Sequence, residues 1–133
     1  MIKLTSPLFV MLPRKTMKDK KVHLNFNTMK NQHYLVYNQA KQLYKAEMAE
    51  QLKGVKFEKP IDIKYTFYKG SNRRVDRNNF IFIIDKFFCD ALTELGCIPD
   101  DNDDFIHCTH NYSGGLDREN PRVDIEIIER KAI

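Results

Sequence analysis

The spacing of apolar residues predicts two amphipathic helices. Across residues 31–52 the apolar positions recur at three- and four-residue steps, at Tyr37, Ala40, Tyr44, Met48 and Leu52. A second helix is predicted across residues 77–95, where the apolar positions fall within one arc of a helical wheel, at Phe80, Ile84, Phe87, Phe88, Ala91, Leu92 and Leu95. The helices are expected to end at Gly54 and Gly96.

Alternation of apolar and polar residues predicts the strands. The clearest case is residues 61–69, where Ile61, Ile63, Tyr65 and Phe67 face one way. Shorter strands are predicted at 8–12, 22–26, 105–112 and 123–129, the last two forming a long hairpin through the Ser-Gly-Gly loop at 113–115. Helices interleave with strands but lack a regular βαβ rhythm. The prediction is an α+β fold with a mixed β-sheet and two main helices, in a single small domain over residues 1–133.

Length and composition narrow the class of protein. A chain of 133 residues with 42% hydrophobic residues can bury a core of its own. The three cysteines, Cys89, Cys97 and Cys108, are odd in number, lack metal-knuckle spacing and follow no signal peptide, which indicates reduced thiols in a cytoplasmic protein. No apolar run approaches the roughly 20 residues that a membrane span needs.

The charge is divided unevenly along the chain. Residues 1–59 hold 12 Lys/Arg and 4 Asp/Glu, whereas residues 60–133 hold 10 Lys/Arg and 14 Asp/Glu. Five of the bases surround one acid in residues 14–21, which predicts an exposed basic loop or hairpin end. A basic half suits a polyanion, and converging carboxylates suit divalent cations, so metal chemistry on nucleic acid would use both. Scattered surface charge is the competing interpretation.

Residues 73–104 contain the candidate functional residues, because seven Asp residues lie within the second predicted helix or next to its ends. Asp76 stands where this helix begins, and Asp100 and Asp101 stand just past its end, so they are candidate ligands for a hard cation such as Mg²⁺. Each has a structural alternative. Asp76 is also a favoured N-cap residue, Asp103 and Asp104 fit a solvated turn, Asp85 fits an exposed helix position, and Lys86 and Asp90 fit a surface ion pair.

A zinc site is not predicted. His107, Cys108 and His110 are zinc ligands by residue type. On a regular strand, however, His107 and His110 would point to opposite faces of the sheet.

The acidic block resembles the RusA-type Holliday junction resolvases. That family carries a D-x-D-N motif at the start of a helix, followed by Lys, by D-A-L and by a D-D pair. The matching segments here are Asp76-Arg77-Asn78-Asn79, then Lys86, then Asp90-Ala91-Leu92, then Asp100-Asp101. The spacings from Lys86 to Asp90 and from Asp90 to Asp101 agree with the family, while Asp76 lies about one helical turn further upstream.

This resemblance implies a RusA-like fold and a homodimeric endodeoxyribonuclease that nicks opposing strands of a four-way DNA junction. It implies a Mg²⁺ cofactor, with Mn²⁺ able to substitute. Asp76 and Asp101 would be catalytic metal ligands, and Lys86 would contact the scissile phosphate. Asn79, Asp90 and Asp100 belong to the motif without an assigned role. The residues expected to contact DNA phosphates are basic, namely Arg14, Lys15, Lys18, Lys20, Lys21, Arg73, Arg74 and Arg77.

The chain departs from the family motif at Asn78, which stands where the second Asp is expected. An amide oxygen can bind Mg²⁺ but attracts it less strongly than a carboxylate. Asp85 is the alternative ligand, because on an ideal helix it lies about 20° from Asn78 around the axis, two turns further along. Two competing functions stay open: a non-catalytic nucleic-acid-binding protein on the same scaffold, and a nuclease for another branched DNA such as a flap or fork.

Overall fold

The structure is a computed structural model that describes residues 1–130. Along those residues the strands and helices follow in the order β1 (Ile2–Ser6), β2 (Phe9–Leu12), β3 (Lys20–His23), α1 (Phe26–Met29), α2 (Tyr34–Gln51), β4 (Ile61–Lys69), α3 (Arg77–Glu94), β5 (Ile106–Leu116) and β6 (Arg122–Glu129). The two long helices and β4 lie where the apolar spacing predicts them. The predicted α+β class is confirmed.

Four of the strands form one mixed sheet in the order β1-β6-β4-β5. β4 pairs with β5 in parallel, and β6 pairs antiparallel with both β4 and β1. The predicted hairpin of the last two strands is therefore wrong, because β4 lies between them. Alternation identifies a strand and its buried face but carries no information about which strand lies beside it. β2 and β3 form a separate two-stranded hairpin.

The core lies between one face of this sheet and the helices. β4 turns Ile61, Ile63, Tyr65 and Phe67 inward, as predicted, and each is at most 4% exposed. On α3, Phe87 and Phe88 are also buried, and each such side chain contributes about 1.5–3 kcal/mol through removal from water. The buried arc of α3 is wider than predicted, since it also includes Ile81 and Ile83. Leu95, predicted to be buried, is 38% exposed because it is the C-cap residue beyond the last turn.

β1 and α1 are absent from the sequence prediction. β1 buries Leu4 and Ser6, and the Ser6 hydroxyl accepts a hydrogen bond from the buried Tyr44 hydroxyl at 2.8 Å. This contact joins β1 to α2 across 38 positions, which no local pattern reveals. Neither long helix in residues 1–130 is apolar enough over a sufficient length to cross a membrane.

Candidate functional site

The first turn of α3 begins at Asp76, whose carboxylate caps the helix. Its Oδ1 accepts a hydrogen bond from the backbone N–H of Asn78 at 3.0 Å, and the residue is exposed. The capping alternative is thus confirmed for one carboxylate oxygen. Capping by one oxygen leaves the second oxygen of Asp76 available to a cation or to water.

A cleft of about 450 Å³ runs beside this end of α3. Its walls come from α1, α3 and β5, and the residues that line it are Phe26, Asn78, Asn79, Ile81, Phe82, Asp85, Thr109 and Asn111. Asn78 and Asp85 therefore open onto the same cleft, as the helical spacing predicts. The rings of Phe26 and Phe82 meet edge to face, with centroids 5.4 Å apart, and supply an apolar wall.

Asp85 is held in place by two buried donors. The Tyr65 hydroxyl donates to Asp85 Oδ1 at 2.5 Å, and the Cys89 thiol lies 3.3 Å from the same oxygen. Burial, with the adjacent charge of Asp85, raises the pKa of Tyr65 and the pKa of Cys89 well above their ordinary values, so both keep their protons. Within residues 1–130 the other oxygen of Asp85 has no hydrogen-bond partner, and it remains available to the cleft.

Lys86 and Asp90 do not form the surface ion pair that was the structural alternative for these two residues. Asp90 binds Lys41 of α2 instead, with Lys41 Nζ 2.9 Å from Asp90 Oδ2. This hydrogen bond is the main cause of a raised pKa at Lys41. The ammonium of Lys86 lies 5.8 Å from the centre of the Phe82 ring, is exposed, and has no ion-pair partner in the described part of the chain. It stands beside the cleft with its charge uncompensated.

Asp100 and Asp101 lie at the far end of α3. After the helix, Gly96 adopts a positive φ of 78° and the chain folds back, so that the Cys97 N–H donates to the Leu92 carbonyl at 2.8 Å. The backbone N–H of Asp101 donates to Asp100 Oδ1 at 2.8 Å. Partial burial, the side-chain contact with Asp100 and the nearby charge of Asp90 together raise the pKa of Asp101.

Asp76 and Asp101 therefore lie toward opposite ends of α3. Asp101 lies near Asp90, which is 14 positions beyond Asp76 and so about 21 Å along the helix axis. Of the predicted metal ligands, Asn78 and Asp85 line one cleft, and Asp76 lies next to it at the N-terminus of α3. Asp101 lies nearer the other end of α3, where its charge acts on Asp90 and on Cys89, the neighbour of Asp85.

The predicted DNA-binding residues fall in two exposed segments. Arg14, Lys15 and Lys18 lie in the loop that joins β2 to β3, where Arg14 Nε donates to the Lys18 carbonyl at 2.7 Å. Lys20 and Lys21 belong to β3, and the ammonium of Lys21 lies 4.0 Å from the centre of the Phe9 ring. The predicted basic hairpin end is thus confirmed, and β3 leads through Leu24 into α1, which forms one wall of the cleft.

The second basic segment precedes the first turn of α3. Arg73 and Arg74 are exposed there, two positions and one position before Val75. Arg77 is the first residue of the helix, and its Nε is buried without a hydrogen-bond partner in the described chain. This segment places three guanidinium groups in sequence next to the Asp76 end of the cleft.

A second polar cluster lies at the start of β5. The Cys108 thiol lies 3.0 Å from Asp62 Oδ1 and His107 Nδ1 lies 3.1 Å from the same oxygen, so these three residues could hold a metal ion. His110 Nε2 is 3.2 Å from Cys108 Sγ, and Arg130 Nη1 is 3.1 Å from Asp62 Oδ2. The pKa of Asp62 lies below its ordinary value. Burial of the carboxylate acts to raise this pKa, but the hydrogen bonds from Cys108 and His107 and the charge of Arg130 lower it by more.

The expectation that His107 and His110 point to opposite faces is wrong because β5 is not regular there. Ile61 pairs with Ile106 and Asp62 pairs with Cys108, so His107 is the extra residue of a β-bulge. The bulge re-aims His107 toward the face that already carries Cys108 and His110. The sequence does not predict Asp62 as a metal ligand, because only the pairing of β4 with β5 brings this residue to the cluster.

Comparison with protein-family models finds no match for the chain, and comparison with curated proteins finds none either.

Proposed function

We propose that this protein is a Mg²⁺-dependent endodeoxyribonuclease that acts as a homodimer and nicks paired strands of four-way DNA junctions. The observation that carries the proposal is the cleft at the start of α3, where Asn78 and Asp85 open onto one space next to Asp76. Asp76 and Asn78 stand at the two Asp positions of the RusA-like motif, and Asp85 is the alternative ligand to Asn78. Basic segments precede two of the elements that form the cleft, since the β2–β3 hairpin leads into α1 and residues 73–77 lead into α3.

The donor atoms at this end of α3 suit Mg²⁺. Asp76, Asn78 and Asp85 offer only oxygen, which Mg²⁺ prefers, and water and phosphate oxygens complete its usual octahedral shell. When bound, the metal would activate water and neutralise charge on the phosphate. The buried hydroxyl of Tyr65 fixes one oxygen of Asp85 and so orients the carboxylate toward the cleft.

The remaining residues bind and orient the DNA. Lys86 has no ion-pair partner in residues 1–130 and stands beside the cleft, where its ammonium can contact the phosphate at the cut. Arg73 and Arg74, with the lysines of the β2–β3 hairpin, bind phosphates on the flanking arms without reading sequence. The apolar wall of Phe26 and Phe82 gives the sugar and base of a distorted junction a surface on which to pack.

In the proposed homodimer, Asp101 contributes to the metal site of the other subunit. Because Asp76 and Asp101 lie toward opposite ends of α3, the proposal is that Asp101 of one protomer reaches the metal beside Asp76 of its partner. A two-fold dimer repeats this contact at both sites. Two identical sites related by such an axis suit the two-fold symmetry of a four-way junction.

The test is cleavage of a labelled four-way junction and of a linear duplex, each with Mg²⁺ and with chelator. Symmetric paired nicks in the junction alone, and only with Mg²⁺, are the expected result. Asp101→Asn should abolish cutting and leave junction binding intact or tighter, because it removes both a metal ligand and a charge that repels phosphate. Asp103→Asn, two positions away in the exposed turn, is the matched control and should cut normally.

The outcomes separate the candidate functions. Wild-type cutting by Asp101→Asn contradicts the role of this residue, whereas parallel loss of binding, cutting and melting temperature indicates a structural residue. Preferential cleavage of a flap or fork moves the protein to another branched substrate. No cleavage of any substrate by the wild type would contradict the nuclease proposal.

A non-catalytic nucleic-acid-binding protein is the second candidate. Two observations favour it: Asn78 stands where the motif expects a carboxylate, and Asp76 caps the end of α3 opposite to Asp101. Junction binding that weakens with salt, without cleavage in Mg²⁺ or Mn²⁺, is its expected signature.

A further inference from the structure

The second polar cluster, at the start of β5, carries four potential metal ligands that the proposed nuclease function does not use. They are Asp62 Oδ1 on β4 and His107 Nδ1, Cys108 Sγ and His110 Nε2 on β5. Asp62, Cys108 and His110 lie on the sheet face opposite the cleft, because their neighbours Ile63, Thr109 and Asn111 point the other way. We propose that these four side chains bind one zinc-class transition-metal ion.

The spacing of the donor atoms fits such an ion. Successive donors lie 3.1 Å apart from His107 to Asp62, 3.0 Å from Asp62 to Cys108, and 3.2 Å from Cys108 to His110. Zinc bonds of about 2.0–2.3 Å in a tetrahedron place neighbouring ligand atoms roughly 3.3–3.7 Å apart. Asp62, His107 and Cys108 are already assembled, with ligand atoms within 4.8 Å of one another. His110 lies close to Cys108 but outside that group, so it would have to move toward the ion to become the fourth ligand.

The contacts of His107 provide an independent indication. Its Nδ1 lies 3.1 Å from the Asp62 carboxylate, which accepts, and 3.0 Å from the Arg130 guanidinium, which donates. With a proton, Nδ1 satisfies only Asp62; without one, it satisfies only Arg130. A cation between His107 and Asp62 satisfies the ring nitrogen through its lone pair. Arg130 then keeps its 3.1 Å hydrogen bond to Asp62 Oδ2 and orients the carboxylate.

The types of ligand in this cluster favour zinc over Mg²⁺. One thiolate, two imidazoles and one carboxylate suit zinc, whereas Mg²⁺ requires oxygen ligands. Binding displaces the Cys108 thiol proton to solvent as the Cys108 sulfur–metal bond forms, so no oxidant or reductant is needed. The ion would tie the first residues of β5, an edge strand, to β4, and so brace the strand that supplies Thr109 and Asn111 to the cleft.

The test uses full-length protein that has been stripped of metal under reducing conditions and then titrated with Zn²⁺, Co²⁺ or Mg²⁺. We expect one Zn²⁺ per chain after gel filtration, and a Co²⁺ complex with tetrahedral visible bands and a thiolate charge-transfer band. Zn²⁺ should raise the melting temperature, and Mg²⁺ should not reproduce this rise. Because this binding requires no DNA, it is separable from the nuclease proposal.

Two variants and one control locate the site. Cys108→Ser should abolish the charge-transfer band, and both Cys108→Ser and His110→Gln should weaken Zn²⁺ binding by at least about 100-fold, since even losing a residue that only orients a ligand costs 10–100-fold. His23→Gln changes an exposed histidine on β3 and should bind as the wild type does. Unchanged binding in both variants, or no retained Zn²⁺ in the wild type, would overturn the proposal. Equal melting temperatures of the metal-free proteins exclude misfolding as the cause of lost binding.

Discussion

Asp76 combines a structural and a proposed catalytic role, and one pair of substitutions separates them. Asn caps a helix about as well as Asp, so Asp76→Asn keeps the hydrogen bond to the Asn78 N–H and removes only the charge. We expect this variant to unfold in urea like the wild type while losing Mg²⁺-dependent junction cleavage. Asp76→Ala should lose cleavage and also about 1 kcal/mol of unfolding free energy. Full activity in Asp76→Asn would limit this residue to capping.

Sequence reasoning at single residues succeeds where the relevant geometry is local. The helical period alone places Asn78 and Asp85 on one face of α3, and both line the cleft. It cannot place Tyr65, which lies 20 positions from Asp85 and meets it only after β4 packs against α3. The predicted direction of the His107 side chain is wrong for a different reason. A one-residue bulge reverses which face of the strand a side chain lies on, and no residue type predicts this bulge.

The β2–β3 hairpin is the element expected to control affinity for DNA. Phosphate contacts release counterions, so junction affinity should fall steeply as salt rises. Replacing Lys15, Lys18, Lys20 and Lys21 together by Ala should reduce the slope of log affinity against log salt by up to about 0.9 for each contacting lysine. Replacing Lys53, Lys56 and Lys59 in the α2–β4 connection is a matched control that should leave the slope in place. An unchanged slope in the hairpin variant would remove this element from the binding surface.

Among the elements, those with a strong period of their own were predictable. Residues 61–69 alternate strictly and form β4 over the same residues, and α2 and α3 begin and end within three residues of their predicted limits. β1 was missed because its five residues, two of them buried, gain stability from β6 and Tyr44 rather than from a local pattern. The predicted hairpin of the last two strands is wrong because β4 lies between them, and the order of strands is a property of the whole sheet.

The proposed dimer makes a prediction about mixed subunits. If Asp101 of one protomer completes the site of its partner, Asp76→Asn and Asp101→Asn dimers are each inactive. A mixed dimer then has one doubly altered site and one intact site. Random mixing should restore nicking at about a quarter of all sites, because half of the dimers are mixed.

Nicking of one labelled junction strand measures this recovery after the two proteins have exchanged subunits. Each variant mixed with itself should stay inactive. Failure of the mixed pair to recover, with exchange verified by differently tagged subunits, would mean that each chain contains its own site. Asp76 and Asp101 would then act at a site within the same chain and not across the dimer.

The central position of β6 has a consequence for how the molecule folds. β6 lies between β1 and β4, so Ile2 pairs with Ile127 and Ile63 pairs with the same residue from the other side. β1 has its only ladder with β6 in the described sheet, across nearly the full sequence separation available. Such non-local pairing requires large loops to close before it stabilises anything, which slows folding. We therefore expect α2, α3 and β4 to condense first, with residues 2–6 exposed to solvent until β6 docks and the sheet closes around it.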